Sequence, residues 1–317
     1  MATATRAPAG RPTPAGGTPG GRRRRSLLQR RQARTAWLLA LPFLLLFAAF
    51  TVGPVFASLF MSFTDMRSTD VRTPFAVDLA GFDNYTALFQ DELFRKVAVN
   101  TAIFVVVGVP LTMVLALAAA VGLNRITRLK AFFRLGYYLP VVTSIVAVAV
   151  VWRFLLQPDT GPINQLLSVA GIDGPDWLGD PSLALPSLIV MATWRNLGTL
   201  MVIFLAGLQT VPRELLEAAE VDGAGRWQRF RHVTLPLLRP VLLFGAVITG
   251  VGYLQVFEEP FVMTNGGPLN ATRSVSYYIY DQFSFGNYGY AAAASYVLFV
   301  AIVVMTVLQF RLLRPKA

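Results

Sequence analysis

Long apolar runs set the first limit on what this chain can fold into. A bilayer core about 30 Å thick takes roughly 20 apolar residues of helix to cross. Runs of that order cover 36–62, 97–122, 135–156, 183–208, 237–263 and 290–310. Lipid gives a backbone N–H or C=O no partner, so such runs cross as helices that bond within themselves. The spacing predicts an all-α membrane protein with six transmembrane helices. A mean hydropathy of +0.54, with 55% apolar residues, fits that class rather than a soluble one.

Charge orients the runs. Positive residues gather on the cytoplasmic side of membrane proteins. Arg22, Arg23, Arg24, Arg25, Arg30, Arg31 and Arg34 precede the first run, and no acid interrupts them. Arg125, Arg128, Lys130 and Arg134 follow the second run, again without an acid. The loop after the third run, 157–182, carries Asp159, Asp173, Asp176 and Asp180 and no base, as an outer loop should. Arg311, Arg314 and Lys316 close the chain. Both termini are therefore expected in the cytoplasm. Residues 1–35, rich in Gly, Pro, Ala, Thr and Arg, read as a disordered basic tail that touches anionic lipid. Residues 36–312 read as the transmembrane domain and 313–317 as a short cytoplasmic tail. The 36–62 run is too long for the apolar part of a signal peptide and is expected to stay as the first span.

Several chemistries have no residues to run them. The net charge of +11 lies at span ends, which argues against nucleic acid. There is no cysteine, and His232 is the one histidine, without partners at metal-ligand spacing. The lysines, Lys96, Lys130 and Lys316, do not stand in a Gly-Lys-Ser/Thr phosphate loop. No Ser/His/Asp set and no HExxH is present. Catalytic residues and a metal site are not expected, nor a cofactor in this chain.

Polar residues inside the spans are costly and point to use. Arg195, Asn196 and Thr199 fall near the middle of the fourth run. Tyr253 and Gln255 fall in the fifth, with Glu258 and Glu259 further out. Amides, a guanidinium and an aromatic ring suit a sugar, by hydrogen bonds to hydroxyls and stacking on a ring face. Arg195, Asn196, Thr199, Tyr253, Gln255 and Glu258 are thus candidates for a solute path. The structural alternative is that Arg195 pairs with Glu258 or another acid while Tyr253 and Gln255 tie helices together.

Between the fourth and fifth runs lies a polar stretch, Pro212 to Pro236. Proline suits a first helical turn, and Glu214 and Glu217 suit the positive end of the helix dipole. Gly223 and Gly225 break the helix. A short helix, a tight turn and a second short helix follow from these signals, with Ala218 and Ala219 leaving room for a close backbone.

The same residues carry a family pattern. Glu217-Ala218-Ala219, Gly223 and Val233-Thr234-Leu235-Pro236 resemble the EAA loop of ABC importer membrane subunits, with Val233 where the pattern has isoleucine. Gly81-Phe82-Asp83-Asn84-Tyr85, Gly161 with Asn164 and Leu167, Trp177-Leu178-Gly179-Asp180-Pro181 and Asn265-Gly266-Gly267-Pro268 resemble outer-side motifs of its sugar branch. The resemblance implies a permease subunit in a bacterial cytoplasmic membrane. It implies a second homologous permease, two ATPase subunits that hold ATP and Mg, an extracytoplasmic solute-binding protein and a sugar or oligosaccharide. It also makes the 210–236 loop a cytoplasmic coupling helix docked on the ATPase through Glu217, Ala218, Ala219, Asp222, Gly223, Leu235 and Pro236. Two rivals stand beside this reading. One is an ABC permease for glycerol-phosphate, polyamine or amino acid, with Arg195 meeting an anion. The other is an ion-driven transporter, which needs a carboxylate at mid-membrane where the sequence places none.

Overall fold

A computed structural model describes residues 27–73, 77–126 and 130–313. Among them every regular element is helical, and the lone β feature is an isolated bridge between Thr64 and Leu79. Four helices are long and apolar enough to cross a membrane, or six if two bent pairs each count as one span.

The chain divides into two compact units, 1–55 and 56–317. In the first, α1 (Leu27–Phe47) passes into a π turn, Ala48–Val52. The turn lies just before Pro54, which lacks an N–H and crowds the carbonyl four residues back. The Gly53 N–H reaches back to the Ala48 carbonyl instead. Helix α1 begins at Leu27, so its first residues, 27–35, fall within the stretch read as tail. Leu, Gln, Arg and Ala all favour helix, and their summed propensity outweighs the basic charge. Residues 1–26, with most of that expected tail, and 314–317 lie outside the described residues.

Helix α2 (Gly53–Met61) runs across the boundary at Val55 into the second unit, where a connecting segment leads to α3 (Asp83–Gln90). Helix α4 (Glu92–Arg125) starts at Asp91, whose carboxylate accepts from the Leu93 N–H. The third apolar run is not one straight helix. Helices α5 (Lys130–Val142) and α6 (Ile145–Leu155) meet at 98°. Pro140 costs α5 a hydrogen bond near its end, and Ser144 is extended, at ψ 128°. A short α7 (Pro162–Val169) precedes α8 (Pro181–Gln209). The polar stretch forms α9 (Arg213–Val221), α10 (Arg226–Arg229), a π turn and α11 (Leu235–Leu237). Helix α12 (Arg239–Leu254) turns 68° from the α10–α11 stretch. Then come α13 (Glu258–Thr264), α14 (Val275–Ser284) and α15 (Tyr288–Leu313).

Helix α8 is the central one. Over half of its most apolar window, 56%, is buried, against 28% for α4 and 17% for α15. It packs along α4, and α12 lies against both and against α15. Two clusters fill the seams: Phe104, Leu188, Met191 and Tyr253 in one, Ala116, Leu200, Met201 and Phe204 in the other. The outward faces remain apolar, with Val106, Phe299 and Leu308 exposed. Water would disfavour so much exposed apolar surface, whereas acyl chains do not.

The loop motifs expected on the outer side form structural ties. Asn84 donates to the carbonyls of Ser62 (3.0 Å) and Thr64 (2.8 Å). Asn164 donates to those of Pro158 and Pro175, both at 3.0 Å, and accepts from the Trp177 indole at 2.6 Å. Asp180 caps α8 by accepting from the Ser182 N–H. The Ser182 hydroxyl bond, then that N–H, hold the Asp180 carboxyl below the usual carboxylate range. Asn265 and Gly266 take left-handed conformations, at φ 49° and 77°.

Candidate functional site

One cavity of about 210 Å³ lies where α8 meets the junction of α12 and α13. Arg195, Asn196, Thr199, Tyr253, Gln255 and Glu258, the six candidates for a solute path, all line it. The α8 group is brought to one face by helical spacing, since Thr199 lies three residues from Asn196 and four from Arg195, and such residues share a side. The α12 group is brought there by a break. Helix α12 stops at Leu254 and α13 starts at Glu258, so the expected continuous fifth span over 237–263 is two helices. Pro260 falls in the first turn of α13, where a missing N–H costs nothing. Ser274 donates to the Val256 carbonyl (2.6 Å) in the broken stretch, and caps α14 as well.

The break changes which acid meets Arg195. Glu259, not Glu258, pairs with it, Nη2 to Oε1 at 3.4 Å. Its side chain is 4% exposed and that of Arg195 24%. Arg195 sits at the midpoint of α8, Pro181–Gln209. The Glu259 carboxylate therefore lies level with mid-helix, which corrects the expectation that no acid reaches that depth. Glu259 was not among the candidates for the path, although its neighbour Glu258 was. The Arg195 Nε is buried without a protein partner. Gln255 and Glu258 keep exposed side chains at the cavity.

Tyr253 is a tie as much as a wall. It is 4% exposed, edge-on to Phe104 with centroids 5.2 Å apart. Its hydroxyl lies 2.8 Å from Thr112 Oγ1, which bonds back to the Gly108 carbonyl and sits 3.1 Å from Thr193 Oγ1. A Cβ on Gly108 would come within 2.8 Å of the Tyr253 ring, so this close approach needs glycine. Sequence reasoning missed Thr112 and Thr193; their signal was a hydroxyl inside an apolar run. The ring is buried, so sugar stacking on Tyr253 would require it to move. Tyr253→Phe is expected to lower stability by about 1–2 kcal/mol through the lost buried bond. Thermal unfolding of the detergent-solubilised protein measures it, with no loss meaning the hydroxyl is not a tie.

Asn196 donates to the Ala192 carbonyl at 2.9 Å. The cavity thus offers a guanidinium, carboxylates, amides and a hydroxyl around a small volume. That set can hydrogen-bond a polyol. Among the described residues no cluster of three His, Asp or Glu could hold a metal ion.

The polar stretch takes the helix–turn–helix form expected of it. Helix α9 ends in a double reverse bond: Ala224 N–H to the Ala219 carbonyl (2.9 Å) and Gly223 N–H to the Glu220 carbonyl (3.0 Å). This is the Schellman closure, with Asp222 at the C-cap and Gly223 in the left-handed conformation, φ 81°. No residue of α9 is buried, and Glu217 and Ala218 stand exposed with Ala219 partly so. Glu220 pairs with Arg229 across the turn, and Gln228 accepts from the Gly225 N–H at 2.8 Å. Thr234 is buried, and Leu235 and Pro236 open α11, where the chain heads into α12. Seven residues of the loop motif are therefore divided between a presented helix and a partly buried anchor.

The family model described as "Binding-protein-dependent transport system inner membrane component" matches residues 93–315. The chain belongs to this family of transport permease components. The lactose transport system permease LacF of Rhizobium radiobacter is 36% identical over 299 residues, spanning 92% of this chain and 98% of LacF. The probable ABC transporter permease YesP of Bacillus subtilis is 39% identical over 276 residues, spanning 85% and 87%. A chain of a bacterial alginate ABC transporter, solved with an alginate-pentasaccharide-bound periplasmic protein, superposes with a TM-score of 0.75 at 27% identity. That match covers 92% of this chain and 98% of the other. An inner membrane transport component is not a catalytic enzyme, and its apolar helices fit a multi-pass protein of the bacterial inner membrane.

Proposed function

We propose that this inner membrane component is one transmembrane subunit of an ATP-driven importer for a sugar or oligosaccharide. One observation carries the solute side of the reading. Six polar side chains from α8 and the α12–α13 junction line a single cavity level with the middle of the central span. Relatives named for lactose, arabinooligosaccharides and diacetylchitobiose give the solute class, each at 30% identity or more. A net-neutral Arg195–Glu259 pair with amide side chains beside it favours a neutral sugar over an anion.

With six spans both ends and the 210–236 loop lie on one side, which the basic residues at the span ends favour as the cytoplasm, with 36–312 as the transmembrane domain. A second permease shares the path. Two ATPase subunits bind ATP and Mg, and α9 docks on one of them. A solute-binding protein delivers from outside, as the alginate neighbour with its periplasmic protein suggests. ATP binding draws the ATPases together; α9 moves with them and the permease pair reopens outward. The glycerol-phosphate alternative lacks an unpaired cation in the cavity among the described residues, because Glu259 takes Arg195.

The reading is tested in proteoliposomes holding the intact complex and its binding protein. ATP inside should drive uptake of a labelled neutral oligosaccharide, and a proton or sodium gradient alone should not. Uptake on the ion gradient without ATP overturns it. A cysteine introduced at exposed Gly225 should react with an impermeant maleimide only from the cytoplasmic face. Labelling from outside would invert the topology.

A further inference from the structure

Beside the polar stretch, the Arg125 end of α4 carries a groove that solute transport does not use. Val114, Leu117, Ala118, Val121 and Gly122 recur at three- and four-residue steps, so they form one stripe of α4. The stripe faces a cavity of about 670 Å³. From Val114 to Arg125 the helix rises about 16 Å. Trp227 and Phe230 close one side, their rings stacked 5.6 Å apart. Trp227 is 68% exposed, as an indole at a membrane interface is. Arg125 and Arg226 stand at the same end, and both also border an adjoining cavity of about 420 Å³.

The charge pattern selects the occupant. Arg229 nearby is paired with Glu220, but neither Arg125 nor Arg226 has a carboxylate within ion-pair distance among the described residues. A long apolar trough ending in two unpaired guanidinium groups matches a molecule with a long apolar chain and an anionic head. We propose that this groove is a binding site for an anionic phospholipid, its acyl chain along the α4 stripe and its phosphate between Arg125 and Arg226. A free phosphate would leave the trough uncovered. The lipid would lie against the start of the α10 segment, through Arg226 and Trp227. The inference rests on the membrane-embedded reading above and is independent of which solute is carried.

The test is tryptophan quenching by brominated lipid in nanodiscs of the intact complex. Trp227 fluorescence is read as the difference between the native chain and Trp227→Phe. Brominated phosphatidylglycerol should quench it at a roughly tenfold lower mole fraction than brominated phosphatidylcholine, from two guanidinium contacts. High salt should shrink that preference. Arg125→Gln with Arg226→Gln should abolish it. Arg125→Gln alone, outside the polar stretch, should cut it by roughly threefold and serves if the double variant does not assemble. Equal quenching by the two lipids overturns the proposal, as does a Trp227 that neither lipid quenches, which would mean protein covers the groove. Trp37 lies exposed on the apolar helix Arg34–Met61. Its quenching by both lipids reports embedding separately, so failure of that broader reading is told apart from failure of the site.

Discussion

Gly223→Pro should leave the complex assembled in the membrane and reduce ATP-driven uptake to background, a loss of at least about 100-fold. Position 223 has φ 81°, and proline is locked near −65°. Proline also removes the N–H that bonds the Glu220 carbonyl. The closure at the end of α9 cannot form, so the chain leaves the helix in another direction and the exposed Glu217-Ala218-Ala219 face is no longer presented. Gly223→Ala should be milder, since an alanine in the left-handed region costs about 1–2 kcal/mol, and nothing lies within 4 Å of its Cβ. That ordering separates a turn requirement from a packing one. Ala219→Arg should reach the same end by bulk instead of geometry. Uptake is measured in proteoliposomes beside ATP hydrolysis by the same complex. Hydrolysis that persists while uptake is lost marks uncoupling. Normal uptake by Gly223→Pro would remove the docking role from this loop.

Much of the loop was legible because its signals are local. A proline at one end, a left-handed glycine at the other and the acids between them act within a few residues of where they stand. The apolar runs were legible for the same reason, since lipid demands a length and a composition and little else. The loop motifs could be seen, but not their purpose. Asn164 and Trp177 bond to each other across a loop, and nothing in their spacing says so.

The breaks were harder. The 98° bend at Ser144 and the gap from Gln255 to Phe257 depend on which neighbours pack against the freed backbone. For the second, Ser274 supplies the bond, and it lies 18 residues away. One local sign did exist. Pro260 belongs in the first turn of a helix and not in the interior of one, which argues for a new start at Glu258. Taken seriously, it would have brought Glu259 to Arg195. It would also have weakened the argument against an ion-driven carrier, which leaned on a depth for the carboxylates that the fold does not keep. The family match, and not carboxylate depth, is what now sets that rival aside.

The Arg195–Glu259 pair is where the second large effect is expected. Removing one partner of a buried ion pair strands the other charge, at about 3–5 kcal/mol. Glu259 is nearly enclosed, at 4% exposure, and Arg195 is less so, at 24%. The two single variants should therefore differ. Arg195→Met leaves a carboxylate with little access to water and should fall in the upper part of that range. Glu259→Gln leaves a guanidinium that can reach the cavity, keeps a hydrogen-bonding side chain in place and should cost less. Replacing both, Arg195→Met with Glu259→Met, removes both charges and should recover much of the loss, because paired apolar groups of similar volume are often no worse than a buried pair. Thermal unfolding of the four proteins gives the coupling between the two sites directly. A second readout divides structure from transport. If the pair serves only to hold α8 against α13, the double variant regains uptake along with stability. If the cavity needs the guanidinium for solute hydroxyls, the double variant regains stability and not uptake. Equal stability of Arg195→Met and the unaltered protein would mean that the two charges do not meet in the membrane.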